Sequence, residues 1–83
     1  MKMSSSILRE IRAALNKAGM MCHVKSGCRL EIVCERDMKW GNAKNILETA
    51  CFLIREVCGD AKIELIHWED VGNDLYMILG LDV

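Results

Sequence analysis

No run in this sequence approaches the ~18 consecutive apolar residues of a membrane span, so no bilayer-crossing helix is expected. There is no Cys-x-x-Cys pair, and the spacing Cys22-x5-Cys28-x5-Cys34 is not one that zinc sites use. A glycine-rich phosphate loop, a Ser/His/Asp set and paired carboxylates framing a cleft are all missing, which argues against an enzyme. The basic-aromatic signatures of RNA-binding sheets are missing too. The opening "MKMSSSILREIRAAL" has Lys2 where a secretory leader would, but Arg9, Glu10 and Arg12 interrupt any apolar segment. The five cysteines are an odd number, which does not suit a disulfide framework. A cytoplasmic protein without metal or cofactor is the expectation.

What is present is apolar for its length. The 83 residues suit one α+β domain, 1–83, and 52% of them are hydrophobic, against a usual share of roughly 45–50%. A chain of this size buries only about 60% of its unfolded surface on folding. More apolar surface remains than one small core absorbs, and self-association or a partner is the natural remedy. Charge is split along the chain. Residues 1–30 carry six bases and only Glu10, a net +5; residues 31–83 carry five bases and eleven acids, a net −6, which together return the overall −1.

The pattern predicts helix, strand, strand, then helix, strand, strand. Ser4, Ser5 or Ser6 can cap the first helix, whose stripe is Ile7, Leu8, Ile11, Ala14, Leu15 and Ala18. Gly19 supplies the left-handed residue that ends it. The first hairpin is expected to oppose Val24 to Leu30, Cys22 to Ile32 and Met20 to Cys34 on a buried side. His23 then faces Glu31, and Met21 faces Val33, on the other side. Ser26-Gly27-Cys28 forms a three-residue loop, with Lys25 and Arg29 set against each other at its mouth. Asn42 can cap the second helix, with Ala43, Ile46, Leu47, Ala50, Cys51, Ile54, Val57 and Cys58 buried, Phe52 and Leu53 broadening the stripe, and Gly59 ending it.

The second hairpin has "EDVGND" as its turn. Strict alternation pairs Ile63 with Leu81, Leu65 with Leu79 and His67 with Met77 on the core face. It pairs Lys62 with Asp82, Glu64 with Gly80, Ile66 with Ile78 and Trp68 with Tyr76 on the outer face. The economical architecture is an αββαββ open-faced sandwich, two helices on one face of a four-stranded, mainly antiparallel sheet. The same order arises when the first strand of a ferredoxin-like βαββαβ fold is moved to its end. In that arrangement "LYMILGL" is a central strand.

On this reading the uncovered face carries Met21, Val33, Ile66, Ile78, Trp68 and Tyr76, with Glu31, Glu35, Glu64, Lys62, Asp82 and His23 around them. An apolar centre with a charged rim is the anatomy of a protein interface, and Trp and Tyr often dominate its energetics. A two-fold pairing of this face with itself is the simplest use of it. Trp40, beside Arg36 and Lys39, can anchor a partner or pack on Ile46 as a hydrophobic staple. His67 is expected in the core, bonded to a carbonyl, and Cys22, Cys34, Cys51 and Cys58 as small hydrophobes. The sequence therefore points to a protein-binding regulator, adaptor or inhibitor, a class that includes phage- or plasmid-borne antagonists of host machinery. It is expected to be homodimeric and to act through Trp68, Tyr76, Ile66, Ile78, Val33, Glu31, Glu64, Lys62 and Trp40. The alternative is nucleic-acid binding through Lys2, Arg9, Arg12 and Lys17 of the first helix.

Overall fold

A computed structural model describes residues 5–25, 29–35 and 43–82. Helix α1 spans Ser5–Lys17, β1 Met21–Val24 and β2 Arg29–Glu35; α2 spans Ala43–Cys58, β3 Lys62–Val71 and β4 Asp74–Asp82. The strands form one sheet in the order β1-β2-β4-β3, with every neighbouring pair antiparallel. This is the expected α+β sandwich. The strand order is the one that moving the first strand of a ferredoxin-like fold to its end produces, with β4 inside the sheet. Ser4, the loop Ser26-Gly27-Cys28, the connector with Trp40, the cap Asn42 and the basic Lys2 all lie outside the described residues.

Both helix ends follow from glycine. The N–H of Met20 donates to the Leu15 carbonyl (2.9 Å) and that of Gly19 to Asn16 (3.0 Å), with Gly19 at φ +93°. This pair of bonds satisfies carbonyls that the last helical turn leaves open, at a backbone angle that costs glycine nothing. It also drops Met20 into the core, fully buried, before β1 begins at Met21. Met20 is thus buried as expected, but by the helix cap rather than by a ladder pair with Cys34.

The core is one cluster. Ile11 and Leu15 of α1, and Ile46, Ala50 and Ile54 of α2, close over Cys22, Leu30, Ile32, Cys34, Leu75, Met77, Leu79 and Leu81 of the sheet. Ile7, Leu8, Leu47, Leu53, Val57 and Ile63 pack at its margin. Phe52 does not join the stripe: it is 62% exposed, because its place on α2 points away from both α1 and the sheet. No helix among the described residues is long and apolar enough to cross a membrane.

The first hairpin has the expected register, Met21 to Val33, Cys22 to Ile32, His23 to Glu31 and Val24 to Leu30. The Lys25 N–H donates to the Arg29 carbonyl at its mouth (2.9 Å). The second hairpin keeps the expected register only as far as Leu65 opposite Leu79. A β-bulge then intervenes between Leu65 and His67, so that His67 meets Ile78, Trp68 meets Met77 and Glu69 meets Tyr76. The strands also run further than expected, to Val71 and Asp74, around a tight turn in which Gly72 has φ +64°. A two-residue hairpin with glycine first and positive φ there suits the twist of its strands.

The bulge exchanges two residues between faces. One extra residue on β3 inverts the alternation beyond it. His67, expected in the core, stands on the open face with half its side chain exposed. Trp68, expected on the open face, stands on the helix side opposite Met77. Packing gives the reason. The bulge sets the larger apolar indole on the helix side, where it lines a groove with Leu47, Leu75 and Met77, and leaves the imidazole on the open face.

Candidate functional site

The open face is built in rows that cross the sheet. One row runs Met21, Val33, Tyr76 and Glu69 from β1 to β3; the next runs His23, Glu31, Ile78 and His67. A third brings Arg29, Gly80 and Glu64 together, and a fourth pairs Asp82 with Lys62. Ile66, the doubled residue of the bulge, lies over Gly80. A methyl at Gly80 would stand 3.0 Å from Ile66 Cδ1. The bare glycine is what gives Ile66 its seat on this face.

At its centre the face is apolar: Met21 is 59% exposed, Ile66 is exposed, and Val33, Ile78 and Tyr76 are half-buried. A polar network holds the aromatic in place. The Tyr76 hydroxyl donates to Glu31 Oε2, and Lys25 Nζ reaches the same oxygen at 3.1 Å. These two bonds, the tyrosine first, hold the Glu31 carboxyl below the usual glutamate value. The bond to Glu31, followed by desolvation, raises the Tyr76 phenol above its own. The imidazole of His67 meets the Tyr76 ring edge-on, with centroids 6.3 Å apart, and its Nε2 lies 3.5 Å from Glu69 Oε1. Lys25 and Glu69 were not among the sequence-derived site residues. The hairpin sequence sets Lys25 against Arg29 at the loop mouth; its ammonium instead turns to Glu31, one row along on the same face, and the register of the first hairpin holds the signal for that.

The remaining sequence-derived residues separate. Tyr76, Ile66, Ile78, Val33, Glu31, Glu64 and Lys62 share the open face. Trp68 does not. It lines a groove of about 210 Å³ with Leu65, Leu75 and Met77 on the sheet and Ala43, Lys44 and Leu47 of α2. Trp40 and Lys2 lie outside the described residues. Arg9 and Arg12 line a shallow groove of about 410 Å³ along α1 with Leu8, Asn16 and Val24, while Lys17 closes the last helical turn apart from it.

Cys22, Cys34, Cys51 and Cys58 are not in disulfides, and Cys34 Sγ donates to the Glu35 carbonyl at 3.6 Å. Burial pushes the Cys22 thiol up to about 11, against a smaller opposing pull from Arg12. Burial likewise raises those of Cys51 and Cys58. Among the described residues no group of three or more His, Cys, Asp or Glu side chains is placed to hold a metal ion.

A scan against protein-family models finds no match to this chain, and neither does a search of curated proteins or of solved structures.

Proposed function

We propose that this chain is a small non-enzymatic protein-binding module. It works in the cytoplasm as a regulator, adaptor or inhibitor, and docks through the open sheet face. One observation carries the reading: Tyr76 stands half-buried on the open face, bonded to Glu31, with Val33 beside it, Ile78 next on its own strand, and Met21 beyond Val33 in the same row. A pre-ordered aromatic loses little entropy on binding, which is how such residues come to dominate interfaces. The rim favours a basic partner. Glu31, Glu35, Glu64, Glu69, Asp74 and Asp82 share this face with Lys25, Arg29 and Lys62. That Cys22, Cys34, Cys51 and Cys58 are not in disulfides suits a reducing compartment.

The second reading, nucleic-acid binding through α1, has its support in the groove that brings Arg9 and Arg12 together. The two readings separate in one experiment. Wild type, Met21→Glu, Tyr76→Ala and Arg9→Glu/Arg12→Glu serve as baits for affinity capture, and the captured species is then purified and titrated against each. Docking through the face expects a protein that binds wild type and the arginine double variant alike. Loss of Tyr76 should cost about 2 kcal/mol of binding, the usual scale for a central aromatic. Capture of nucleic acid, weakening steeply with salt and lost in the arginine variant, would overturn it.

A further inference from the structure

A second surface left open by the described residues is the outer edge of β3. This strand is ten residues long and, among the described residues, has a strand neighbour on one side only. All of its residues are exposed except the half-buried Ile63. On the helix side Leu65 is 38% and Trp68 51% exposed, since the core closes over β4 and leaves β3 beyond its margin. A long edge of this kind is a template for another strand, and proteins pair it, cover it or bend it. The opposite edge, β1, is four residues long and offers little.

We propose that β3 pairs with β3 of a second copy, antiparallel about a two-fold axis. Lys62 then faces Glu69, Ile63 faces Trp68 and Glu64 faces His67 of the other copy. The bulge selects this register. In an unbulged antiparallel pair, residues that face each other lie on the same side of the sheet, and a strand meeting its own copy must match odd positions with odd and even with even. Across the bulge the sides exchange. Lys62, Glu64, His67 and Glu69 share the open face, while Ile63, Leu65 and Trp68 share the helix side. Self-pairing across the bulge must therefore match odd with even. Of the registers that do so, Lys62 opposite Glu69 makes the three pairs that match across the bulge complementary, two charge or charge–imidazole pairs on the open face and an apolar pair beneath, with Leu65 and Ile66 of the two copies meeting at the axis from opposite faces. A slip to the next allowed register sets Glu64 against Glu69 and Ile63 against Asp70, a like-charge pair and a carboxylate on an apolar residue.

The pairing also accounts for the exposed indole. Ile63, Leu65 and Trp68 from the two copies would form one apolar strip under the joint. The axis stands perpendicular to the sheet, so the two four-stranded sheets join into one of eight with both open faces on the same side. The copy therefore goes to the edge and leaves the docking face free. This inference goes beyond the docking reading and does not depend on it.

The test is molar mass in solution by light scattering on a sizing column, over a dilution series. The variants are Lys62→Glu, Glu69→Lys, the double exchange Lys62→Glu/Glu69→Lys, and Met21→Glu, each checked for folding by circular dichroism. Wild type should give twice the 9.4 kDa chain mass. Each single reversal should raise the dimer dissociation constant about tenfold, because the symmetry replaces two attractive pairs by two repulsive ones. The double exchange should restore the dimer. That rescue excludes a mere effect on the Lys62–Asp82 pair within one chain, which Glu69→Lys cannot repair. Met21→Glu, on the open face of the far strand, should leave the dimer intact. A wild-type monomer at about 100 μM would overturn the proposal; so would a dimer indifferent to the reversals, or one that the double exchange fails to restore. A dimer lost in Met21→Glu and kept in Lys62→Glu would also overturn it, and would place self-association on the open face. Failure of the docking reading would show instead in the capture experiment, with the dimer unchanged.

Discussion

Tyr76 donates its hydroxyl proton to Glu31 diagonally across β2 and β4: Tyr76 stands opposite Val33, and Glu31 opposite Ile78. Two strands are thereby tied on the face that carries no helix. The same bond makes stability depend on pH at both extremes. Glu31 titrates below its ordinary value of 4.5 in the folded chain. Its contribution is therefore complete above that value and is lost as pH falls through the lower folded one. Tyr76 titrates above its ordinary value of 10.0. Its contribution is complete below that value and is lost as pH rises through the higher folded one. Thermal melts from pH 3 to 11 should show both limbs. Tyr76→Phe should flatten the alkaline limb and weaken the acid one; an unchanged profile would count against the bond.

The bulge makes a second prediction. Removing Ile66 removes the doubled position, and every other residue of β3 keeps its face: Leu65 and Trp68 on the helix side, Glu64 and His67 on the open side. An Ile66 deletion should therefore fold, with stability in urea within about 1 kcal/mol of wild type. The indole emission of Trp68, read in a Trp40→Phe background, should hardly move. Deleting Leu65 instead takes a helix-side residue from the strand and should shift that emission and cost more.

The third prediction concerns the thiols. Cys22 is buried and its pKa stands at about 11. At pH 8 in native protein it should resist a disulfide-exchange reagent, because the thiolate is the nucleophile and little of it forms. Denaturant should bring all five cysteines to full reaction. Rapid native labelling at Cys22, located by peptide mass, would contradict this placement.

Two residues on α2 form the fourth. Ile54 is fully buried and Phe52 is 62% exposed, although both are large and apolar. Ile54→Ala should cost about 2–5 kcal/mol in chemical denaturation. Phe52→Ala should stay within about 0.5 kcal/mol. Equal losses would mean that α2 is rotated about its axis.

How far these features were legible differs from one hairpin to the other. In β1 and β2 one register brings Cys22, Leu30, Ile32 and Cys34 to a common buried side, while Val24, expected with them, is 39% exposed at the open end of the short edge strand. In β3 the alternation changes phase. Ile63 and Leu65 keep one parity and Ile66 and Trp68 the other, which was the signal of an inserted residue. Read as strict alternation, the strand places His67 and Trp68 on the wrong faces. Lys25 and Glu69 were missed at the site because each depends on a neighbour brought near by another strand.

The sequence by itself determined the number and kind of the elements, the glycines that end the helices, and most of the side chains that share the core, with His67, Phe52, Val24 and Leu65 the exceptions. These depend on local periodicity and on residues whose backbone freedom is their own. The tertiary structure alone decided that β3 lies at the sheet's edge, that its bulge turns Trp68 toward α2, and that Tyr76 meets Glu31. Each of these depends on which strands become neighbours, and the order β1-β2-β4-β3 is settled by packing between segments far apart in the chain.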